Sequence, residues 1–263
     1  MDFDSFVTSA IADPSGSGFI LDFDGTLSEI VSAPAEARPA QGATEVLTAL
    51  VSSFAHVAVL SGRRAEEVAA LAGVVGVDYH GLYGGEWIGE GSLMQHPDAD
   101  RLRGMASRLA RDAEAMLASE GIDGCEVEFK NLAVSVHHRN ASNRSEAGDA
   151  ILRWAQVAAE RRGFKATRGR MVVELRPRDV SKSSAARGMI IAWQVRRVLF
   201  AGDDSSDVEV MKDLALHTGL ESCCIGVSST EEPQGLRQHC DLIVGSPADL
   251  LGQLRRLIEP QAS

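Results

Sequence analysis

Basic residues are in short supply in this chain. Lys and Arg number 26 against 37 Asp and Glu in 263 residues, a formal net charge of −11, with a pI near 5.1. A general nucleic-acid binder needs a basic face, so no nucleic-acid partner is expected. An anionic substrate stays admissible, because a bound divalent cation can reverse the local field. Cysteine is sparse too. Cys125, Cys223, Cys224 and Cys240 form no C-x-x-C pair and no zinc-ligand spacing, and they read as buried free thiols. A long apolar run is missing, and the first residues carry Asp2 and Asp4 rather than basic charge. Neither a secretory leader nor a membrane span is expected, which implies a cytoplasmic, reducing location. The sequons at Asn140 and Asn143 are then without consequence. No internal repeat or low-complexity tract is visible.

What is present is an ordinary globular composition, 44% apolar, in a chain long enough for one large or two modest domains. Its most informative stretch is Phe19-Ile-Leu-Asp-Phe-Asp-Gly-Thr-Leu27. The run Phe19 to Leu21 has the look of a strand buried on both faces. Asp22 and Asp24 stand where that strand ends, and Gly25 and Thr26 turn the chain. Ligands of open α/β sheets gather outside the carboxyl ends of strands, so both acids are expected at the mouth of a crevice. Asp2-Phe3-Asp4 has the same spacing without the strand or the glycine, and reads as a frayed amino terminus.

Strand and helix patterns alternate through the first and last thirds. After the Pro- and Ala-rich loop 33–39 come a helix near 44–52, a strand His56 to Leu60, a helix 65–72 and a glycine-rich segment 80–91. Later come a helix near 183–194, a strand Val198 to Ala201, a helix near 207–216, a strand 223–227 and a short strand 241–244. Such alternation implies right-handed crossovers and a parallel sheet. The middle reads differently: helix 98–118 with Leu102, Met105, Leu109, Met116 and Leu117 on one side, two alternating runs (125–129, 132–137), a helix near 144–162 and two more strands (164–167, 171–175). The expected organisation is an α/β core of residues 1–97 and 179–263, interrupted by an α+β unit of residues 98–178 with its own hydrophobic interior.

Three further signals lie at ends of strands or beginnings of helices. Ser61-Gly62-Arg63 offers a hydroxyl, backbone N–H groups and a guanidinium, a set suited to an oxyanion or phosphate. Lys182 precedes a helix, where the dipole disfavours a cation unless it reaches an anion. Gly202-Asp203-Asp204-Ser-Ser-Asp207 places three carboxylates in five residues, which repel one another unless a cation neutralises them. Oxygen-only ligands point to a hard ion such as magnesium. Asp207 also reads as a helix cap.

Taken in order, Asp22-Phe-Asp24-Gly-Thr, Ser61, Lys182 and Gly202-Asp203-Asp204-x-x-Asp207 resemble the four motifs of the haloacid dehalogenase (HAD) superfamily of phosphatases. The resemblance implies a Rossmann-like core with a parallel sheet, and a cap domain inserted between the second and third motifs. It implies Asp22 as the nucleophile that becomes an aspartyl phosphate and Asp24 as the acid, then the base. Magnesium would be held by Asp22, the main-chain carbonyl of Asp24, and Asp203, with Asp204 and Asp207 in support. Ser61 and Lys182 would bind the phosphoryl oxygens.

Within that superfamily the chain resembles the trehalose-6-phosphate phosphatase family. Leu132-Ala-Val-Ser-Val-His-His-Arg-Asn140 is similar to that family's cap strand ending in His-Tyr-Arg, and Glu174-Leu-Arg176-Pro177 to its Glu-x-Arg-Pro. The resemblance implies hydrolysis of trehalose 6-phosphate. It assigns Gly25, Thr26, Gly62, Arg63 and Glu86 of the core, with His138, Arg139, Asn140, Glu174 and Arg176 of the inserted unit, to the substrate. The sequence departs from the family where Tyr83-Gly-Gly-Glu86 replaces His-Gly-x-Glu, and at His138, Ser183 and Val208. Another phosphorylated sugar or cyclitol, and a phosphotransferase or mutase reaction, stand as alternatives, as does a non-catalytic binding protein. The expected partner is a small sugar phosphate, with the chain a monomer or a dimer.

Overall fold

The structure is a computed structural model that describes residues 1–31, 36–89, 91–169, 171–230 and 232–258. Residues 33–35 of the Pro- and Ala-rich loop, residue 90 of the glycine-rich segment and residue 170 of the middle stretch lie outside the described residues. In chain order the helices are α1 (Phe3–Ala12), α2 (Ala43–Ser53), α3 (Ala65–Ala72), α4 (Ala99–Ser119), α5 (Arg144–Glu160), α6 (Lys182–Trp193), α7 (Ser205–Ala215), α8 (Leu236–His239) and α9 (Pro247–Arg255). The strands are β1 (Ser17–Leu21), β2 (His56–Leu60), β3 (Asp78–Gly81), β4 (Glu86–Gly89), β5 (Ser92–Gln95), β6 (Glu126–Lys130), β7 (Ala133–His137), β8 (Phe164–Gly169), β9 (Val172–Pro177), β10 (Arg197–Gly202), β11 (Glu221–Val227) and β12 (Leu242–Val244). The chain divides into two compact units, Met1–Met94 with Lys182–Ser263, and Gln95–Ser181.

The first unit is built on a sheet of order β12-β11-β10-β1-β2-β3-β4-β5. Its strands run parallel from β12 to β3, and β4 turns antiparallel to β3. All of β1 is buried, because alternate side chains enter two cores. Phe19 and Leu21 pack with residues of α1, α2, α3 and α9. Ile20 packs with residues of α6, α7 and α8. Helices on both faces of a parallel sheet are the stable solution for such continuously apolar strands. Strand order reverses at β1, between β10 and β2, so the carboxyl ends of these three strands converge on one crevice.

Three local differences from the sequence reading have physical causes. The amino terminus is not frayed: Asp2 accepts the Ser5 N–H at 2.9 Å and caps α1, whose Phe6 meets Phe19 edge-on at 6.0 Å. The glycine-rich segment holds the end of β3 and all of β4, with a tight turn at Leu82–Gly84, and β5 follows it. Helix α7 starts at Ser205 because Asp204, not Asp207, is its cap, and Asp207 completes a reciprocal capping box.

The second unit carries an antiparallel sheet of order β6-β7-β9-β8, against which α4 and α5 pack. Helix α4 buries Leu102, Ala106, Leu109, Ala110, Ala113 and Leu117. Met105 and Met116 are only partly buried. The buried stripe thus runs through small alanines, which let the helix backbone approach its neighbours closely. The register sets Ser135 opposite Glu174, Glu128 opposite Ser135, and Thr167 and Lys165 opposite Glu174 and Arg176. Side chains alternate along a strand, so Glu128, Lys130, Ser135, His137, Lys165, Thr167, Glu174 and Arg176 share one polar face. Val134, Val136, Val173, Leu175 and Phe164 are buried on the other.

All four cysteines are free. Cys223 and Cys224 are buried as expected, but Cys125 and Cys240 are only partly so. Burial pushes the Cys223 thiol up to about 12, so it is an inert core side chain. Asn143 accepts the Glu146 N–H at 3.3 Å and caps α5. Among the described residues no helix is long and apolar enough to cross a membrane.

Candidate active site

The site starts from the end of β1. The Asp22 N–H donates to the Ala201 carbonyl at 2.9 Å, which carries the sheet pairing one residue past the strand. The Phe23 carbonyl then accepts from Thr26, Leu27 and Ser28 at 3.3, 2.8 and 2.9 Å and winds the chain into a turn. Gly25 sits in this turn at φ 80°, and a Cβ there would lie 2.2 Å from Asp203 Oδ2. Glycine is needed for both reasons: the left-handed backbone and the carboxylate pressed against it. The Asp22 side chain is buried. Its Oδ1 accepts from Lys182 Nζ at 2.6 Å, and its Oδ2 from the Thr26 hydroxyl at 3.4 Å.

Lys182 is the first residue of α6 and is buried. It tolerates the positive end of the helix because two carboxylates face it, Asp22 at 2.6 Å and Asp207 at 2.7 Å. Burial disfavours its charge, but Asp207 and Asp22 outweigh this and hold its pKa well above the usual range. Asp207 has no oxygen to spare: Oδ1 is on Lys182, and Oδ2 accepts the N–H groups of Asp203 and Asp204, each at 3.1 Å. A Cβ on Gly202 would lie 2.3 Å from the Asp207 carboxyl carbon, so this glycine makes room for the buttress.

Asp22, Asp203 and Asp207 bring carboxylate oxygens within 4.8 Å of one another. Asp203 Oδ1 is buried without a hydrogen-bond partner among the described residues. Burial pushes the Asp203 carboxyl up to about 8, with repulsion from Asp207 and Asp204 adding to it. Asp22 is also pushed up to about 8, by burial first, with Lys182 pulling the other way and Asp203 and Asp204 repelling it. Surplus negative charge, an orphaned oxygen and an all-oxygen donor set fit a hard divalent cation such as magnesium. Asp22 and Asp203 are the carboxylates with capacity to hold it, since Asp207 is committed to Lys182 and two backbone groups.

At the end of β2, the Ser61 N–H donates to the His80 carbonyl at 2.9 Å, and Ser61 Oγ accepts the Arg63 N–H at 3.1 Å. Arg63 was assigned to the substrate on sequence grounds. In the structure its side chain goes to protein carboxylates: Nε and Nη2 bind Asp24 Oδ2 and Oδ1 at 2.7 and 2.8 Å, and Nη1 binds Glu67. Burial opposes its charge, but these carboxylates win and raise its pKa. Glu86 is fully buried, its Oε1 accepting the Ala65 N–H at 2.9 Å. It therefore serves the start of α3, which has no side-chain cap of its own. Sequence reasoning treated Tyr83 only as a departure from a motif. The structure holds it at φ 60° and ψ 27°, fixed by a 2.9 Å bond from its N–H to the Ser61 carbonyl. A Cβ on Gly62 would come within 2.9 Å of the Tyr83 ring and hydroxyl. Nothing in the sequence short of a positive φ signals that contact.

The second unit holds the other expected residues. Glu174 accepts from the Ser135 hydroxyl at 3.2 Å and lies 3.7 Å from Lys130 Nζ. Arg176 follows on the same face, buried. His138 is buried under α5, where a Cβ on Gly148 would lie 2.7 Å from its ring. Burial lowers its pKa. Arg139 and Asn140 are exposed in the turn after β7.

The parallel sheet flanked by helices, with acids at the ends of β1 and β10 and an inserted unit, defines a HAD-like hydrolase architecture. A haloacid dehalogenase-like hydrolase from Bacteroides thetaiotaomicron superposes with a TM-score of 0.63 over 92% of this chain and 99% of its own, at 13% identity. The profile of the trehalose-phosphatase family matches residues 20–236, and the chain belongs to that family. A trehalose-phosphate phosphatase of Mycobacterium leprae is 33% identical over 226 residues, 80% of this chain and 50% of the relative. The C-terminal domain of Candida albicans trehalose-6-phosphate phosphatase superposes with a TM-score of 0.74 over 97% of this chain and 96% of its own, at 18% identity. The chain spans about half the length of the curated mycobacterial trehalose-phosphate phosphatases it matches.

Proposed function

We propose that this chain is a magnesium-dependent phosphatase that hydrolyses trehalose 6-phosphate to trehalose and phosphate. The observation that carries the reading is Asp22, a buried carboxylate at the end of the central strand with its Oδ1 held on Lys182, in a chain of the trehalose-phosphatase family. Asp22 attacks phosphorus in line and forms an aspartyl phosphate as the sugar oxygen leaves. Asp24 supplies the proton for that oxygen, then takes one from the water that hydrolyses the intermediate. Lys182 and the Ser61 hydroxyl, with the Gly62 N–H beside it, bind the phosphoryl oxygens as charge shifts onto them. Magnesium, held by Asp22, Asp203 and the Asp24 carbonyl, would screen the repulsion between the attacking carboxylate and the phosphate. The polar face of the second sheet, Glu174 and Arg176 above all, is proposed to read sugar hydroxyls, each of which offers a donor and an acceptor. Hydrolysis in the cytoplasm by a monomeric chain completes the proposal.

A second reading, another phosphorylated sugar or cyclitol, is favoured by Tyr83, which stands at the place of a family histidine and lies against Gly62. A panel of sugar phosphates with magnesium, scored by kcat/KM, separates the two. Trehalose 6-phosphate is expected to lead the panel, and chelation with EDTA to silence turnover until magnesium is restored. A different leading substrate selects the second reading. Full activity after exhaustive chelation refutes the metal assignment.

A further inference from the structure

We propose that Arg63 is a positioning residue for Asp24 rather than a group that binds the substrate, and that it acts in the second half of the reaction. The inference rests on the phosphatase reading above. Both Asp24 oxygens are engaged by one guanidinium, at 2.7 and 2.8 Å. A bidentate fork fixes the plane of a carboxylate as well as its position. The fork is itself anchored. Nη1 is on Glu67, the guanidinium carbon lies 5.9 Å from the centroid of the Phe23 ring, and the Arg63 side chain is only 10% exposed, against 42% for Asp24. The backbone on either side is tied as well, by Ser61 Oγ to the Arg63 N–H at 3.1 Å and by the Leu82 N–H to the Arg63 carbonyl at 2.7 Å. Arg63 is thus a rigid support, and Asp24 is the accessible group it presents.

This geometry suits one half of the reaction. A carboxylate whose two oxygens are both pinned by one guanidinium keeps its remaining lone pairs in a fixed direction, which an attacking water, tethered to nothing else, needs more than a leaving oxygen already held by the substrate. In that step the water oxygen bonds to phosphorus, its proton passes to Asp24, and the bond between phosphorus and Asp22 breaks to regenerate the Asp22 carboxylate. That proton is then available for the next leaving sugar oxygen. Lysine keeps the charge of Arg63 but cannot span two oxygens.

The test is a rapid-mixing assay of Arg63→Lys with p-nitrophenyl phosphate and magnesium. Its leaving group departs as p-nitrophenolate without a proton, so the first half does not need Asp24. Phosphoryl transfer in the first turnover is expected at the wild-type rate, with a burst amplitude no smaller than wild type. The steady-state rate should fall by roughly 10-fold or more, the lower end of what a positioned base contributes. In an Asp24→Asn background the same substitution should change neither phase. A burst slowed together with the steady state would assign Arg63 to the phosphoryl group and overturn the proposal. A burst amplitude and a steady-state rate reduced in parallel with a lowered Tm would reduce Arg63 to a fold support and overturn it too. Unchanged kinetics in Arg63→Lys would do the same. A wild-type chain that releases no phosphate from any substrate overturns the phosphatase reading itself, whereas an active wild type with one of the outcomes above overturns this inference alone.

Discussion

In the eight-stranded sheet every residue of β1 is buried, and the functional groups sit just past the strand ends, on turns that the sheet pairing pins in place. In the four-stranded sheet alternate residues are polar along the strands themselves, and Glu174 and Arg176 are presented from mid-strand. The first arrangement spends its polar groups on one another: Lys182 on Asp22 and Asp207, Asp207 on two backbone N–H groups. It leaves little room for substitution. The second spreads its polar groups over a face whose backbone register survives a change of side chain. On the function proposed above, chemistry would be built into the rigid frame, and recognition onto a surface that tolerates revision.

The sharpest way to break this contrast is Asp22→Asn. The amide cannot form an acyl phosphate, so turnover of every substrate should vanish while the fold persists. More than about one per cent of wild-type kcat, far above what binding alone leaves when a nucleophile is lost, removes Asp22 from that role.

A second test compares the two sheets under acid. Burial pushes His80, which is stacked on Trp87, down from 6.5 to about 4. A histidine with a depressed folded pKa keeps its stabilising neutral form above the unfolded value. The unfolded state binds more protons below that value, so stability is lost as pH falls from 6.5 toward 4, by up to roughly 3 kcal/mol. In the second sheet, the hydrogen bond from His137 holds the Glu128 carboxyl below its usual value despite half-burial. That contribution is present above 4.5 and is lost only below it. Hydrogen exchange read by mass spectrometry between pH 7 and 4.5 should therefore show protection falling around β3 before it falls around β6 and β7. Simultaneous loss in both sheets counts against the His80 argument.

The smallest expected effect lies on the recognition side. Glu174→Ala should lower kcat/KM for trehalose 6-phosphate by about 10- to 100-fold, the scale of one or two charge-assisted hydrogen bonds. p-Nitrophenyl phosphate, which lacks the sugar, should change little. Equal losses on both substrates with a lowered Tm would mean that Glu174 serves its bonds to Ser135 and Lys130 and reads no sugar.

Much of the first sheet was legible in sequence because buried parallel strands are written as unbroken apolar runs, and the acids and glycines that follow them have few other uses. What escaped notice depended on contacts made by backbone. The sequence does not show that Glu86 also accepts the Ala65 N–H at the start of α3. Asp2 reads as loose chain because a cap is defined by the N–H group it meets, not by its own type. The strands β4 and β5 hid behind glycines, and the buried stripe of α4 ran through alanines where the larger methionines drew attention. Arg63 shows the same limit, since a guanidinium near two acids looks alike in sequence whether it faces ligand or protein, and only the structure shows its bonds to Asp24 and Glu67.

The pairing of Ser17 with Arg197 also joins strands that leave the ribosome far apart in time. When β1 and β2 leave the ribosome, the strand that must flank β1 on its other side has not been made, and Asp22 has no lysine to meet. Residues 95–181 emerge next, and all four strands of their sheet are contiguous in the chain. Their loops are short, so their closure entropy is small and they can fold as a finished body on the nascent chain. Lys182, the first residue after that body, then arrives together with β10 to close the older half. A chain cut short before residue 182 would hold every strand of the four-stranded sheet but lack the lysine that Asp22 meets.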